Sequence, residues 1–169
     1  RIKESLNLLE AALLVNKVYS SRGSGLPLGT GITSKVFKCV FLDVGLMNYL
    51  CGVDPGDILT GANLSGLFRG SIAEQLVGQA VLLEGGSEGE RLYYWQRNKK
   101  SSSAEVDYLI VRDGKVVPVE VKSGKRGRMR SLNIFLDKHS GSDQGLVFYD
   151  GNIQVKDNLK YMPLYTSFV

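Results

Sequence analysis

At 169 residues, with 43% apolar and 22% charged content, the chain has the makeup of one globular domain, or of one domain with a small appendage. No apolar run reaches membrane-spanning length, which argues against a membrane protein. No secretory leader pattern is read at its start, and a helical pattern begins directly after Arg1, as expected for a fragment of a longer chain. The net charge of +4 is modest, and the two cysteines, Cys39 and Cys51, match no zinc spacing and read as buried, reduced thiols in a cytoplasmic protein.

In chain order, residues 2 to about 15 predict an amphipathic helix with Ile2, Leu6, Leu9 and Leu13 on one stripe. Gly23 to Gly31 is a glycine-rich loop. No Gly-Lys-Ser/Thr closes it and no apolar strand leads into it, so it is not a phosphate-binding loop. Val36, Val40 and Phe41 lie in a short strand-like run, and Asp43 caps a helix expected through Leu50. Asp54-Pro55-Gly56-Asp57 reads as a turn. The longest helical stretch spans about Asn63 to Glu84, with Glu74 inside it and Gly70 and Gly78 one turn to either side. These glycines cost helix stability, and the uses open to them are close approach of a ligand or backbone near Glu74, or helix–sheet packing alone.

Gly85-Gly86-Ser87 ends that helix, Leu92 to Trp95 is a strand, and Asn98 to Ser103 reads as a polar loop. Beyond a hairpin discussed next, Ser123 to Arg128 is a basic loop and Met129 to His139 a helix with Leu132, Phe135 and Leu136 inward. Gly145 to Tyr149 is a buried strand, and a run near Leu159 to Tyr165 closes the domain. The order predicts an α/β fold with a mixed sheet. We place an N-terminal helical and strand subdomain at 1–60 and the main domain at 61–169. His139 is the only histidine, which excludes two-histidine metal sites, and at a helix end it reads as structural.

The hairpin runs from Glu105 to Arg112, turns at Asp113-Gly114, and returns from Lys115 to Lys122. Asp-Gly between alternating β-branched runs is a strong signal for a type I′ turn, which needs positive φ at both central residues. Paired positions then sum to 227, which puts Asp107 opposite Glu120 and Glu105 opposite Lys122. Such cross-strand Cβ atoms lie about 4.5–5.5 Å apart. On this pattern Val106, Tyr108 and Ile110 share one apolar face with Val117, Val119 and Val121, and the acids stand on the other. Opposed like charges destabilise a sheet, and a divalent cation such as Mg²⁺ or Mn²⁺ removes that cost. The bland alternative is a solvated polar face neutralised by Lys122. Pro118 lacks an N–H, so the neighbouring strand at 145–149 should pair mainly beyond it.

Charge is concentrated around these acids. From Arg97 to Arg130 ten basic residues face four acidic ones, a net of +6 that leaves −2 for the rest. Lys99, Lys100, Lys125, Arg126, Arg128 and Arg130 are the expected contacts to a polyanion, nucleic acid and DNA in particular.

A helix glutamate (Glu74), a strand aspartate (Asp107) and Glu120-Val121-Lys122 one strand later resemble the PD-(D/E)xK nuclease core. The chain as a whole resembles the uncharacterised C-terminal domain of prokaryotic AAA-type ATPases. The matching pieces are Gly25-Leu26-Pro27-Leu28, Phe41-Leu42-Asp43-Val44-Gly45-Leu46, Ala73-Glu74, Tyr94-Trp95, Glu105-Val106-Asp107 and Pro118 to Gly124. The resemblance implies a restriction-endonuclease-like fold and an N-terminal ATPase module, at which alone ATP would bind. It also implies a site in which Asp107 and Glu120 hold Mg²⁺ or Mn²⁺, Glu74 completes the shell and Lys122 acts beside it. Val106, rather than proline, precedes Asp107. Two functions follow: a metal-dependent phosphodiesterase, or a non-catalytic module that binds nucleic acid, couples the ATPase to a partner, or assembles as a homo-oligomer.

Overall fold

The computed structural model describes residues 1–60, 65–84, 91–99, 102–124 and 127–168. Helix α1 (Ile2–Ala11) buries none of its residues and stops where Leu13 takes a left-handed φ of +59°. A strand that the sequence reading left unassigned follows at once, β1 (Val15–Ser21), paired antiparallel to β2 (Thr33–Phe41), so that a strand does lead into the glycine-rich loop, contrary to expectation. No residue of β1 is exposed, Val18 packing on the α4 side and Tyr19 on the α5 side, so both its faces are covered and it lacks the alternation that marks a half-buried strand. Asp43 caps α2 (Val44–Leu50), its carboxylate accepting from the Leu46 N–H at 2.9 Å. The turn expected at Asp54 continues into α3 (Pro55–Thr60). Asp54 accepts from the Gly56 N–H, and Pro55 occupies a first helical position that needs no donor.

Ser65 caps α4 (Gly66–Leu83), and β3 (Leu92–Lys99) comes next. The polar loop expected over 98–103 is instead strand at both ends. Asn98 pairs with Ser103 and Lys99 with Ser102 as β4 (Ser102–Arg112) begins, since a backbone ladder needs no apolar pattern. At the tip of the hairpin Asp113 and Gly114 both have positive φ, +51° and +72°. From there β5 (Lys115–Val121) pairs with β4 in the expected register, from Arg112 with Lys115 to Tyr108 with Val119. After α5 (Arg130–Lys138), β6 (Gly145–Tyr149) joins β5 in parallel, starting at Val119 and so beyond Pro118 as expected. The short β7 (Gln154–Lys156) is fully exposed and gave no apolar signal. It pairs with β8 (Leu159–Pro163), which leads into a 3-10 turn at Leu164–Phe168.

The eight strands form one mixed sheet in the order β2-β1-β3-β4-β5-β6-β8-β7. The strands of residues 1–60 therefore extend the same sheet as the rest, through the parallel pair of β1 and β3. Helix α4 covers one face, packing Ala73, Val77 and Val81 on Tyr94, Tyr108, Ile110, Val119 and Val121. Helix α5 covers the other, packing Leu132, Phe135 and Leu136 on Trp95, Val106, Leu109 and Val147. Gly78 sits where a Cβ would collide with the Tyr108 hydroxyl and Val40, while a Cβ at Gly70 would meet nothing. Close helix–sheet packing is thus the use of Gly78. Cys39 is half-buried, whereas Cys51 is exposed rather than buried, and both are free thiols. Among the described residues no helix is long and apolar enough to cross a membrane. His139 stacks on Phe135, and its two ring nitrogens meet the carbonyl oxygens of Phe135 and Arg22, a structural setting.

Candidate functional site

The site forms where β4 departs from ideal alternation. Between Tyr93 paired with Leu109 and Trp95 paired with Val106, β4 carries one residue more than β3. Two residues against one on the partner make a β-bulge, which re-aims side chains locally. Its effect is visible in the packing: Ala104, Val106 and Leu109 lie on the α5 side, Tyr108 and Ile110 on the α4 side. Val106 therefore does not share a face with Tyr108 as the alternating pattern predicts. Glu105 and Asp107 come instead to the α4 side, where their carboxylate oxygens and one of Glu74 lie within 4.8 Å of one another. Glu74 is held there by its backbone, whose carbonyl accepts from the Tyr108 hydroxyl at 2.8 Å.

The ladder between β4 and β5 closes at Tyr108 and Val119. One step further, the side chain of Asp107 supplies the acceptor, taking the Val121 N–H on Oδ2 at 2.8 Å. Glu120 alternates with Val119 and Val121, which face α4, so its side chain leaves the strand on the α5 side. That is the opposite face from Asp107, and not one face with it as the register predicts, because the bulge has turned Asp107. Glu120 is 92% buried by its side-chain exposure of 8%, and its Oε1 accepts from Lys122 Nζ at 2.6 Å. Its Oε2 has no hydrogen-bond partner among the described residues. Lys122 thus pairs with its own strand's Glu120 and not with Glu105 as the register suggested. Gly127 makes room for it, because a Cβ there would press on the lysine stem at 2.8 Å.

Glu105 is instead paired with Lys38, a residue the sequence reading passed over. Lys38 Nζ lies 2.6 Å from Glu105 Oε1, 2.7 Å from Glu74 Oε1 and 3.9 Å from Asp107 Oδ1, and 5.0 Å from the centre of the Tyr94 ring. Two glutamines of α4 hold β2 in place for this. Gln75 accepts from the Phe41 N–H at 2.8 Å and donates to the Cys39 carbonyl at 2.9 Å, and Gln79 donates to the Phe41 carbonyl at 3.1 Å. The signal that could have found Lys38 is its place in β2, one alternation step from the fully buried Val40. A lysine on the inward parity of a strand needs a carboxylate to meet.

The electrostatics follow from this crowding. Burial, then the charges of Glu120 and Glu74, push the Asp107 carboxyl up to about 7, against the pull of Lys38 and the Val121 N–H. Burial raises Glu120 as well, opposed chiefly by Lys122. For Lys38 burial acts to lower the value, but the charges of Glu74, Asp107 and Glu105 outweigh it and hold the ammonium above the ordinary lysine range.

Of the expected nucleic-acid contacts, Arg128 and Arg130 are exposed, just before and at the start of α5. The adjoining Ser131 accepts from the Glu105 N–H at 3.3 Å, so the first turn of α5 lies at the acidic end of β4. Lys100, Lys125 and Arg126, and the side chain of Lys99, lie outside the described residues. An open cavity of about 390 Å³ borders Lys122 and is lined further by Tyr149, Lys156 and Tyr161.

Fold and site together define a three-layer α/β domain with Glu74, Glu105 and Asp107 around Lys38 on the α4 side and the Glu120–Lys122 pair on the α5 side. Residues 69–166 match the family model described as "Domain of unknown function (DUF4143)", and the chain belongs to that family. The matched span carries Glu74, Glu105, Asp107, Glu120 and Lys122, while Lys38 precedes it. No curated protein and no solved structure matches the chain.

Proposed function

We propose that this is a restriction-endonuclease-like domain of the PD-(D/E)xK type, a divalent-metal-dependent phosphodiesterase that acts on nucleic acid, DNA in particular. The observation that carries the reading is the buried Glu120 Oε2, which lacks a hydrogen-bond partner among the described residues while sitting within electrostatic reach of Asp107 and Glu74. A buried carboxylate oxygen left unpaired costs free energy that a cation removes. The donors are all carboxylate oxygens, which fits Mg²⁺ or Mn²⁺ and not a soft metal.

Asp107 and Glu120 would hold the ion, with Glu74 completing the acidic surround. Such an ion, when bound, lowers the pKa of a water and offsets charge developing on a phosphate. Lys122 is held by Glu120 and braced against Gly127, and so presents a fixed ammonium beside the site toward the cavity that it borders. Its charge favours the transition state, in which a phosphodiester that is already an anion gains further negative charge. Arg128 and Arg130, joined by Lys99, Lys100, Lys125 and Arg126, hold the backbone phosphates. The resemblance to the C-terminal domain of AAA-type ATPases supports an N-terminal ATPase module as partner and a cytoplasmic setting.

A second reading is favoured by one observation, the seat of Lys38 among three carboxylates. In that reading the cluster is already neutralised, and the domain binds nucleic acid or couples a partner without cleaving. Cleavage of DNA and RNA with Mg²⁺ or Mn²⁺, wild type against Glu120→Gln, decides between them. Cleavage lost in the variant supports the phosphodiesterase. Salt-sensitive binding without cleavage by the wild type supports the second reading.

A further inference from the structure

We infer that the cavity beside Lys122 holds one unpaired nucleotide, its base against the Tyr161 ring and its phosphate on Lys156 and Lys122, so that the domain takes a single strand in preference to a duplex. The inference rests on the nucleic-acid reading above and names the form of nucleic acid that the site receives. Helix α5 lies chiefly over β4 and β5, which leaves the same side of β8 and β7 open beyond it. The cavity of about 390 Å³ occupies that open stretch. Tyr149 and Tyr161 line it from the α5 side of the sheet, and Gln154, opposite Tyr161 on β7, shares that face with Lys156. Val147 lines it too and is the strand partner of Glu120, so a ligand there lies beside the Glu120–Lys122 pair. A volume of this size is at the small end of ligand pockets, about 300–1,000 Å³, and suits one nucleotide and not a base pair.

The lining selects this ligand. Tyr161 is half-buried and meets Tyr149 edge-on, with ring centres 5.5 Å apart. Tyr149 is itself fixed, its hydroxyl donating to the Asn152 carbonyl at 2.6 Å and accepting from the Gln154 amide at 2.9 Å. A braced aromatic ring at the wall of an open cavity is a stacking platform, and an unpaired base can turn its face to it where a base inside a duplex cannot. Among the described residues no acidic one lines this cavity, whereas Lys122 and Lys156 both line it. An adjoining cavity of about 470 Å³ shares Gly127, Met129, Lys156 and Tyr161 but adds Asp137 and Asp157, both exposed. Those carboxylates repel a phosphate from the far end, so the strand enters past the exposed Arg128 and Arg130 and not along α5.

The test is fluorescence anisotropy on the full chain with a labelled single-stranded DNA and the blunt duplex of the same sequence, in chelator so that nothing is cleaved. The wild type should bind the single strand at least about tenfold more tightly. Tyr161→Leu, which keeps apolar bulk, should weaken single-strand binding about tenfold and leave duplex binding unchanged, while Tyr161→Phe should match wild type. Lys156→Ala should lower the salt slope for the single strand by about 0.7. A labelled oligoglutamate of equal charge should bind more weakly and be indifferent to Tyr161→Leu. Should Tyr161→Leu fail to fold, a single strand carrying 5-iodouracil, irradiated on the wild type, should crosslink at Tyr161, and crosslinking confined to other residues overturns the inference. Equal affinity for strand and duplex, or single-strand binding that Tyr161→Leu leaves unchanged, overturns the inference and leaves the nucleic-acid reading standing. Tighter binding of oligoglutamate, lost in Tyr161→Leu, assigns the cavity to an acidic peptide and overturns it as well. No binding of either DNA at low salt overturns the inference and the nucleic-acid reading together.

Discussion

The carboxylate of Asp107 accepts the backbone N–H of Val121 at 2.8 Å, directly past the last pair of the β4–β5 ladder. A side chain thereby closes a backbone position that no strand carbonyl reaches. Asp107→Asn keeps an acceptor there and removes one of the crowded charges. In chelator it should be as stable as wild type, or more stable by about 0.5–1 kcal/mol. Asp107→Ala strands the N–H and should be less stable than Asp107→Asn by about 1 kcal/mol or more. Adding Mn²⁺ at a hundredfold excess over its dissociation constant should stabilise wild type by about 2.7 kcal/mol and Asp107→Asn by much less. Thermal melts across a Mn²⁺ series measure all three, and a flat wild-type response would remove the metal site.

The pH dependence of the metal-free protein has a definite sign. Asp107 has a carboxyl raised from 3.8 to about 7 by burial and by the charges of Glu120 and Glu74. Between those values the folded chain keeps a proton that the unfolded chain has lost. Stability should therefore fall as pH rises from about 4 to about 7, and level off above. Glu120 is raised too and contributes in the same direction. Melting temperatures over this range in chelator should show the decline in wild type and a shallower one in Asp107→Asn. A rise with pH would contradict the assignment.

Two glycines of α4 should respond to alanine in opposite ways. At Gly78 a Cβ would strike the Tyr108 hydroxyl and Val40, pushing the helix off the sheet. Gly78→Ala should cost about 1–3 kcal/mol, as overpacking does. At Gly70 nothing lies within 4 Å, so Gly70→Ala should stabilise by up to about 1 kcal/mol through helix propensity. Urea denaturation of the two variants compares them directly, and equal effects would refute the packing assigned to Gly78.

Arg128 and Arg130 are exposed beside the acidic end of β4. If they hold phosphates, DNA affinity should fall steeply with salt. The double variant Arg128→Ala, Arg130→Ala should then flatten the slope of log affinity against log salt by about two units. Fluorescence anisotropy at several salt concentrations measures it. An unchanged slope would move the nucleic-acid surface elsewhere.

Local chemistry alone determined several parts of this protein. Asp113-Gly114 has few backbone options, so the turn and the pairing from Arg112 with Lys115 to Tyr108 with Val119 are legible in the residues themselves. The missing N–H of Pro118 likewise set where β6 begins to pair. Asp43 announced α2, and the apolar periodicity announced α4, α5 and β6. Tertiary structure decided the rest. The bulge in β4 depends on how β3 lies beside it, and it turned Glu105 and Asp107 toward α4, which strict alternation does not allow. β1 is covered on both faces and β7 on neither, so neither carries the alternation by which a strand is read. Lys38 reaches Glu74 across 36 positions of chain because two glutamines bind an edge strand to a helix. Pairing at that separation depends on which backbone groups the fold leaves open, and those are settled only when the sheet is assembled.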